Sequence, residues 1–153
     1  MPVVISETVL VLAGPFGEGL DGQRVGAAVA RGLKENGRLE CDVFALEYDI
    51  GLRAEGGTQD ASRALVDTDF DRRMKAARAV VIACARLDDR ALAGSTAFEA
   101  ATRARQSGVP AYAITGSAAL DPFEARIVDL QVILEAGTPR ALSAAGRKLA
   151  ALV

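Results

Sequence analysis

The chain has 153 residues, a formal net charge of −2 and no histidine or tryptophan. Without histidine it can build neither a histidine metal site nor a histidine-based catalytic triad. Its Lys and Arg are scattered, so no basic stripe points to nucleic acid, and no apolar run approaches the roughly 18 residues of a membrane span.

Residues 1–6 read as a loose lead-in without a signal-peptide pattern, so the expected location is cytoplasmic. The first predicted strand, Thr8–Ala13, runs into Gly14-Pro15-Phe16-Gly17-Glu18-Gly19, a turn that neither helix nor strand crosses. Asp21 suits the N-cap of a helix with apolar positions Val25, Ala28, Val29 and Leu33, which Asn36-Gly37 closes. A second strand, Cys41–Leu46, leads into a long irregular stretch, Glu47–Asp60. There Thr58 or Asp60 is the natural helix cap. Phe70, Met74 and Ala77 mark the next helix, which feeds a third strand, Ala79–Cys84.

An Arg86–Gly94 loop follows, then a helix whose Thr96 and Glu99 form a capping-box pattern. Gly108 ends that helix, and Pro110 opens a fourth strand, Ala111–Ile114, with Thr115-Gly116-Ser117 as its turn. Asp121-Pro122 starts a fourth helix. The fifth strand is Leu130–Leu134, and Thr138-Pro139 starts a last helix carrying Leu142, Ala145, Leu149 and Leu152.

Strands buried on both faces read as continuous apolar runs, as these do. Strand–helix alternation along the whole length predicts one α/β domain over residues 1–153, a three-layer α/β/α structure. Its five-stranded parallel sheet is expected in the flavodoxin-like order 2-1-3-4-5. Ligands on such sheets bind beyond the carboxyl ends of the strands, so the Gly14–Gly19 and Ala85–Gly94 loops should face each other across one crevice. Cys41 and Cys84 fall inside strands and read as small buried hydrophobes.

Three segments carry candidate chemistry. Gly14, Phe16, Gly17 and Gly19 precede a helix N-terminus, where free N–H groups attract a small anion; a purely structural turn is the plainer account. Glu18 and Asp21 add negative charge there, against a tightly held phosphate. Arg86, Asp88 and Asp89 could hold Mg²⁺ or deprotonate a hydroxyl with arginine steadying the charge, or form a solvated charged loop. Thr115, Gly116 and Ser117 offer hydroxyls and flexible backbone to a ligand, or are an ordinary turn.

Ala85-Arg86-Leu87-Asp88, Ala91-Leu92-Ala93-Gly94 and the run from Ala104 to Gly116 resemble the C-terminal signature of the bacterial type-1 glycerate kinases. Leu20 through Leu33 is similar to the helix after that family's first strand. The resemblance implies a flavodoxin-like domain, but the large second domain that the family inserts after its second strand is missing; only a short stretch around 50–70 stands there. It also implies ATP and Mg²⁺ as cofactors wherever the family activity persists.

Here the family's first-loop lysine falls on Gly17 and its aspartate on Gly14. Its Asp-Gly-Gly-Glu-Gly-Thr motif is reduced to Tyr48-Asp49-Ile50-Gly51 or Glu55-Gly56-Gly57-Thr58. A glutamate is replaced within Ala83-Cys84-Ala85, and a Gly-Lys has become Gly94-Ser95. Phosphoryl transfer rests on positioned positive charge and metal, so ordinary kinase turnover is not expected. The readings left open are a domain that binds a small anionic molecule or a protein partner, a phosphotransferase completed by a second chain, and a structural module. The apolar fifth strand, at a sheet edge, predicts a homo-oligomer or a packed terminal segment.

Overall fold

The computed structural model describes residues 7–17, 19–88, 93–120 and 129–153. Its strands are β1 (Thr8–Ala13), β2 (Glu40–Ala45), β3 (Ala79–Asp88), β4 (Ala111–Ala119) and β5 (Leu130–Glu135). All pair in parallel, in the order β2-β1-β3-β4-β5. This is the flavodoxin-like α/β order that the alternation of elements predicts. The described helices are α1 (Gly22–Lys34), α2 (Thr58–Asp67), α3 (Phe70–Lys75), α4 (Thr96–Gln106) and α5 (Pro139–Ala150). No described helix is long and apolar enough to cross a membrane.

Strand β1, flanked by β2 and β3, is buried on both sides, and alternate residues feed two cores. Val9 and Val11 meet Val25, Val29 and Leu33 of α1 and Leu142 and Leu149 of α5. Leu10 and Leu12 meet Leu65 of α2, Phe70 and Met74 of α3, and the alanines of α4. Full burial of each such leucine or valine contributes about 1.5–3 kcal/mol, which is how a chain poor in aromatics still closes its core.

The first and last helices touch backbone to backbone. A Cβ on Gly32 would overlap the Ser143 carbonyl oxygen, and one on Gly146 the Val29 carbonyl oxygen. The Ser143 hydroxyl donates to Ala28 O at 2.8 Å inside that contact. Asp21 and Thr138 cap α1 and α5 as their positions predict, accepting from the N–H groups of Arg24 and Ala141.

Several boundaries differ from expectation. β3 and β4 run on together past Cys84 and Ile114, pairing Arg86 with Ser117 and Asp88 with Ala119. Thr115-Gly116-Ser117 is therefore strand rather than turn, and Arg86 and Asp88 lie on a strand rather than in a loop. The reason is that Leu87 is buried in the core, which continues the sheet through polar neighbours. The long irregular stretch ends in a helix, α2, whose Gly57 N-cap makes no side-chain bond, while Asp60 accepts from the Gly56 N–H.

The cap of α4 is Ser95, not Thr96, and Glu99 pairs with Arg103 along the helix. Leu152 lies beyond α5 and is exposed. β5 is an edge strand, and its Val132, Ile133 and Leu134 are half-buried against both cores. The helix expected from Asp121-Pro122 lies outside the described residues.

Candidate functional site

The carboxyl ends of β1 and β3 adjoin, so the crevice sought from the sequence has a definite position. Gly14 N–H donates to Ala83 O at 2.9 Å, which extends the β1–β3 ladder into the first loop. The loop then closes on itself. Phe16 N–H donates to Leu20 O, and the Arg24 guanidinium donates to Gly19 O at 3.0 Å. Gly17 and Gly19 take positive φ angles of 96° and 81°, a conformation that favours glycine.

The N-terminus of α1 is already served by acids. The Glu47 carboxylate accepts the Gly22 N–H at 3.0 Å, and the Asp21 carboxylate accepts the Arg24 N–H at 2.8 Å. An anionic ligand here would have to displace one carboxylate and sit beside the other. Glu47, a residue the sequence reading did not single out, holds its place because β2 carries straight into it. The bond from Leu46 N–H to Ala13 O, at 2.8 Å, fixes that exit.

The segment after β2 then folds across the crevice. Ile50 is fully buried beside Gly14, and its carbonyl accepts the Ala97 N–H at 2.9 Å. Ser95 Oγ accepts the Phe98 N–H at 3.1 Å, so α4 too begins on protein partners. Tyr48 and Thr96 share a hydroxyl–hydroxyl bond of 3.0 Å. Gly51 lies so close to β3 that a Cβ there would overlap the Arg86 carbonyl oxygen. Farther out, Arg53 bridges to Ser95, and Ala54 N–H donates to Gly94 O. The reduced motif Tyr48-Asp49-Ile50-Gly51 thus works as a plug.

On the β3–β4 ledge, both strands make the same local bond at the same level. The Cys84 thiol donates to Arg86 O at 3.5 Å, and Thr115 Oγ1 donates to Ser117 O at 3.1 Å. The alternation of faces breaks there: Leu87, not Arg86, joins the core that Cys84 belongs to. Arg86, Gly116 and Ser117 are left exposed side by side, with the Phe16 ring within 3.8 Å of where a Gly116 Cβ would stand. Thr115 is buried and turned inward. The fold thus gathers Phe16, Arg86, Gly116 and Ser117, while Asp88 stands farther along β3. Asp89 and Glu18 lie outside the described residues.

Burial pushes the Cys84 thiol up to about 12, and Cys41 up to about 11. Neither supplies a thiolate at neutral pH. The start of α1 does not fit a nucleotide phosphate: the Asp21 and Glu47 carboxylates stand where a phosphate needs free N–H donors.

A model of the glycerate kinase family matches residues 50–150, two thirds of the chain, including the block from Ala85 to Gly116. β1 and α1 lie outside that match. No curated protein matches the chain. Among solved structures it is similar to a protein described as pilus assembly-related from Burkholderia pseudomallei, at 19% identity and a TM-score of 0.53, over 99% of this chain and 96% of that one. It is also similar to a DNA-binding response regulator of the LuxR family from Staphylococcus aureus. That likeness has 16% identity and a TM-score of 0.46, over 94% of this chain and 98% of the other. At such identity the pilus-related likeness speaks for the fold alone.

Proposed function

The chain belongs to the glycerate kinase family, and from that premise we propose that residues 1–153 act as one α/β domain that binds a small anion without transferring phosphate. The observation that carries this reading is the bond from the Gly22 N–H to the Glu47 carboxylate. Catalysis of phosphoryl transfer depends on positive charge and open donors around the moving group. At this helix start the protein supplies negative charge instead. The positions of two family lysines hold Gly17 and Ser95, and Ser95 is used as a helix cap.

The anion, a carboxylate or phosphate, would rest on the ledge of Arg86, Gly116 and Ser117. Arg86 is exposed, stands in register with Ser117, and forms no ion pair among the described residues. Incubation with ATP, Mg²⁺ and glycerate should give no phosphoglycerate. Turnover near the roughly 1–100 s⁻¹ of kinases would overturn the reading. Activity that appears only with another chain present would favour the completed phosphotransferase. Amide shifts at Arg86 and Gly116 on titration with phosphate or glycerate, lost in Arg86→Ala, are expected. Their absence would leave a structural module.

A further inference from the structure

An open groove of about 930 Å³ lies between α1 and the outer side of β2. Gln23, Ala27, Arg31 and Lys34 form its helical wall, and Val43 and Ala45 its floor. Among the described residues β2 pairs with β1 alone. The N–H groups of Glu40 and Leu46 donate to Glu7 O and Ala13 O, on the β1 side. By strand alternation the N–H and C=O groups of Cys41, Val43 and Ala45 face outward, with no strand beside them among the described residues. Edge strands are ordinarily guarded by lysine, proline, a bulge or a covering segment. β2 reads Glu-Cys-Asp-Val-Phe-Ala and keeps unbroken register with β1. Its charges are Glu40 and Asp42, and among the described residues it carries no lysine, proline or bulge and has no segment laid along its outer edge.

We propose that a second copy of this chain docks on this edge, β2 against β2, antiparallel about a two-fold axis at Val43. The contact is self-complementary, as a two-fold interface must be. Val43 faces its counterpart, and Cys41 faces the second copy's Ala45, so the outward backbone groups on both edges pair. Glu40 then lies opposite Leu46 and Asp42 opposite Phe44, and no two acids meet. Asp42 is in any case held by Arg73 on the other face of the sheet, at 2.6 Å.

Charge complementarity selects a second copy over other occupants. The two-fold sets the α1 helices side by side and antiparallel. Arg31 and Lys34, at the C-terminal end of α1, form no ion pairs among the described residues, and nearby Glu35 is engaged by Arg147. In the pair they lie along the opposite end of the other α1, where Asp21 and Glu47 sit. The antiparallel dipoles act in the same sense. Ala27, exposed and small, leaves room for the two helices to approach.

This inference does not rest on the proposed function. Sedimentation velocity across a concentration series into the high micromolar range should give a dimer that weakens as salt rises. Ala27→Arg fills the groove from an exposed helix position, and should give a monomer with unchanged helicity and the melting temperature of the dilute, monomeric parent. The double change Arg31→Glu, Lys34→Glu should raise the dissociation constant by about tenfold or more. A monomer throughout the series overturns the proposal. So does a dimer that Ala27→Arg leaves intact, since it would use another surface, the β5 edge included.

Discussion

Glu47 and Gly22 are joined across 25 positions of sequence by a single bond of 3.0 Å, the carboxylate accepting the backbone N–H that opens α1. The bond pins the exit of β2 to the start of the preceding helix. It also places an acid where the helix dipole favours one.

Removing that acceptor leaves a helix-start N–H without its partner. Glu47→Ala should lower stability by about 0.5–2 kcal/mol, the range for lost N-terminal caps, and Glu47→Gln by less because an oxygen remains. Urea midpoints measure both. With the amide released, sulfate should protect the alanine variant more than the parent. Equal midpoints for parent and Glu47→Ala would mean that this bond does not form in solution.

The contact of α1 with α5 leaves no room for a methyl group. Gly146→Ala should cost about 1–3 kcal/mol through forced separation of the helices, despite the better helix propensity of alanine. Ser143→Ala, which loses the bond to Ala28 O, should cost about 0.5–1.5 kcal/mol. Thermal melts would read each as a fall in Tm of about 2–4 °C per kcal/mol in a chain of this size. A gain in stability from Gly146→Ala would contradict the close approach.

Two titrations bound the stability plateau. Buried Cys84 has its thiol raised from 9.0 to about 12, above its value in the unfolded chain, chiefly by burial. Its contribution is intact below about pH 9 and is lost as pH climbs towards 12. Asp42 runs the other way. The hydrogen bond from Arg73 holds its carboxyl below the usual 3.8, so its contribution is present above that value and is lost as pH falls further. Chemical denaturation at a series of pH values should show both limbs, with the alkaline one shallower in Cys84→Ala. A native chain whose Cys84 reacts with a thiol reagent as fast as free cysteine would refute its burial.

The sheet was readable from sequence because its central strands are buried on both faces. Runs such as Val9–Leu12 and Val80–Ile82 have no polar interruption, and the turns beside them fix where each begins. Caps at Asp21 and Thr138 were readable because each acts within three residues. The far ends of β3 and β4 were not, because polar Arg86, Asp88 and Ser117 look like loop and only their mutual pairing makes them strand. Ser95 stood one place before a more conspicuous pattern at Thr96. Glu47 had no local signal whatever. Its partner lies in α1, 25 residues earlier, and neither the crevice it closes nor the plug at Ile50 exists until the sheet has formed.

The glycine-tight union of α1 and α5 also bears on how the chain is made. These helices are more than a hundred residues apart in sequence, so Val25, Val29 and Leu33 stay uncovered on one side until synthesis reaches Leu142 and Leu149. Until then the nascent protein offers an oily flank to any chaperone or neighbouring chain. Closing that flank is the late event, and a ribosome stalled before Pro139 would hold a chain whose α1 lacks its cover on that side.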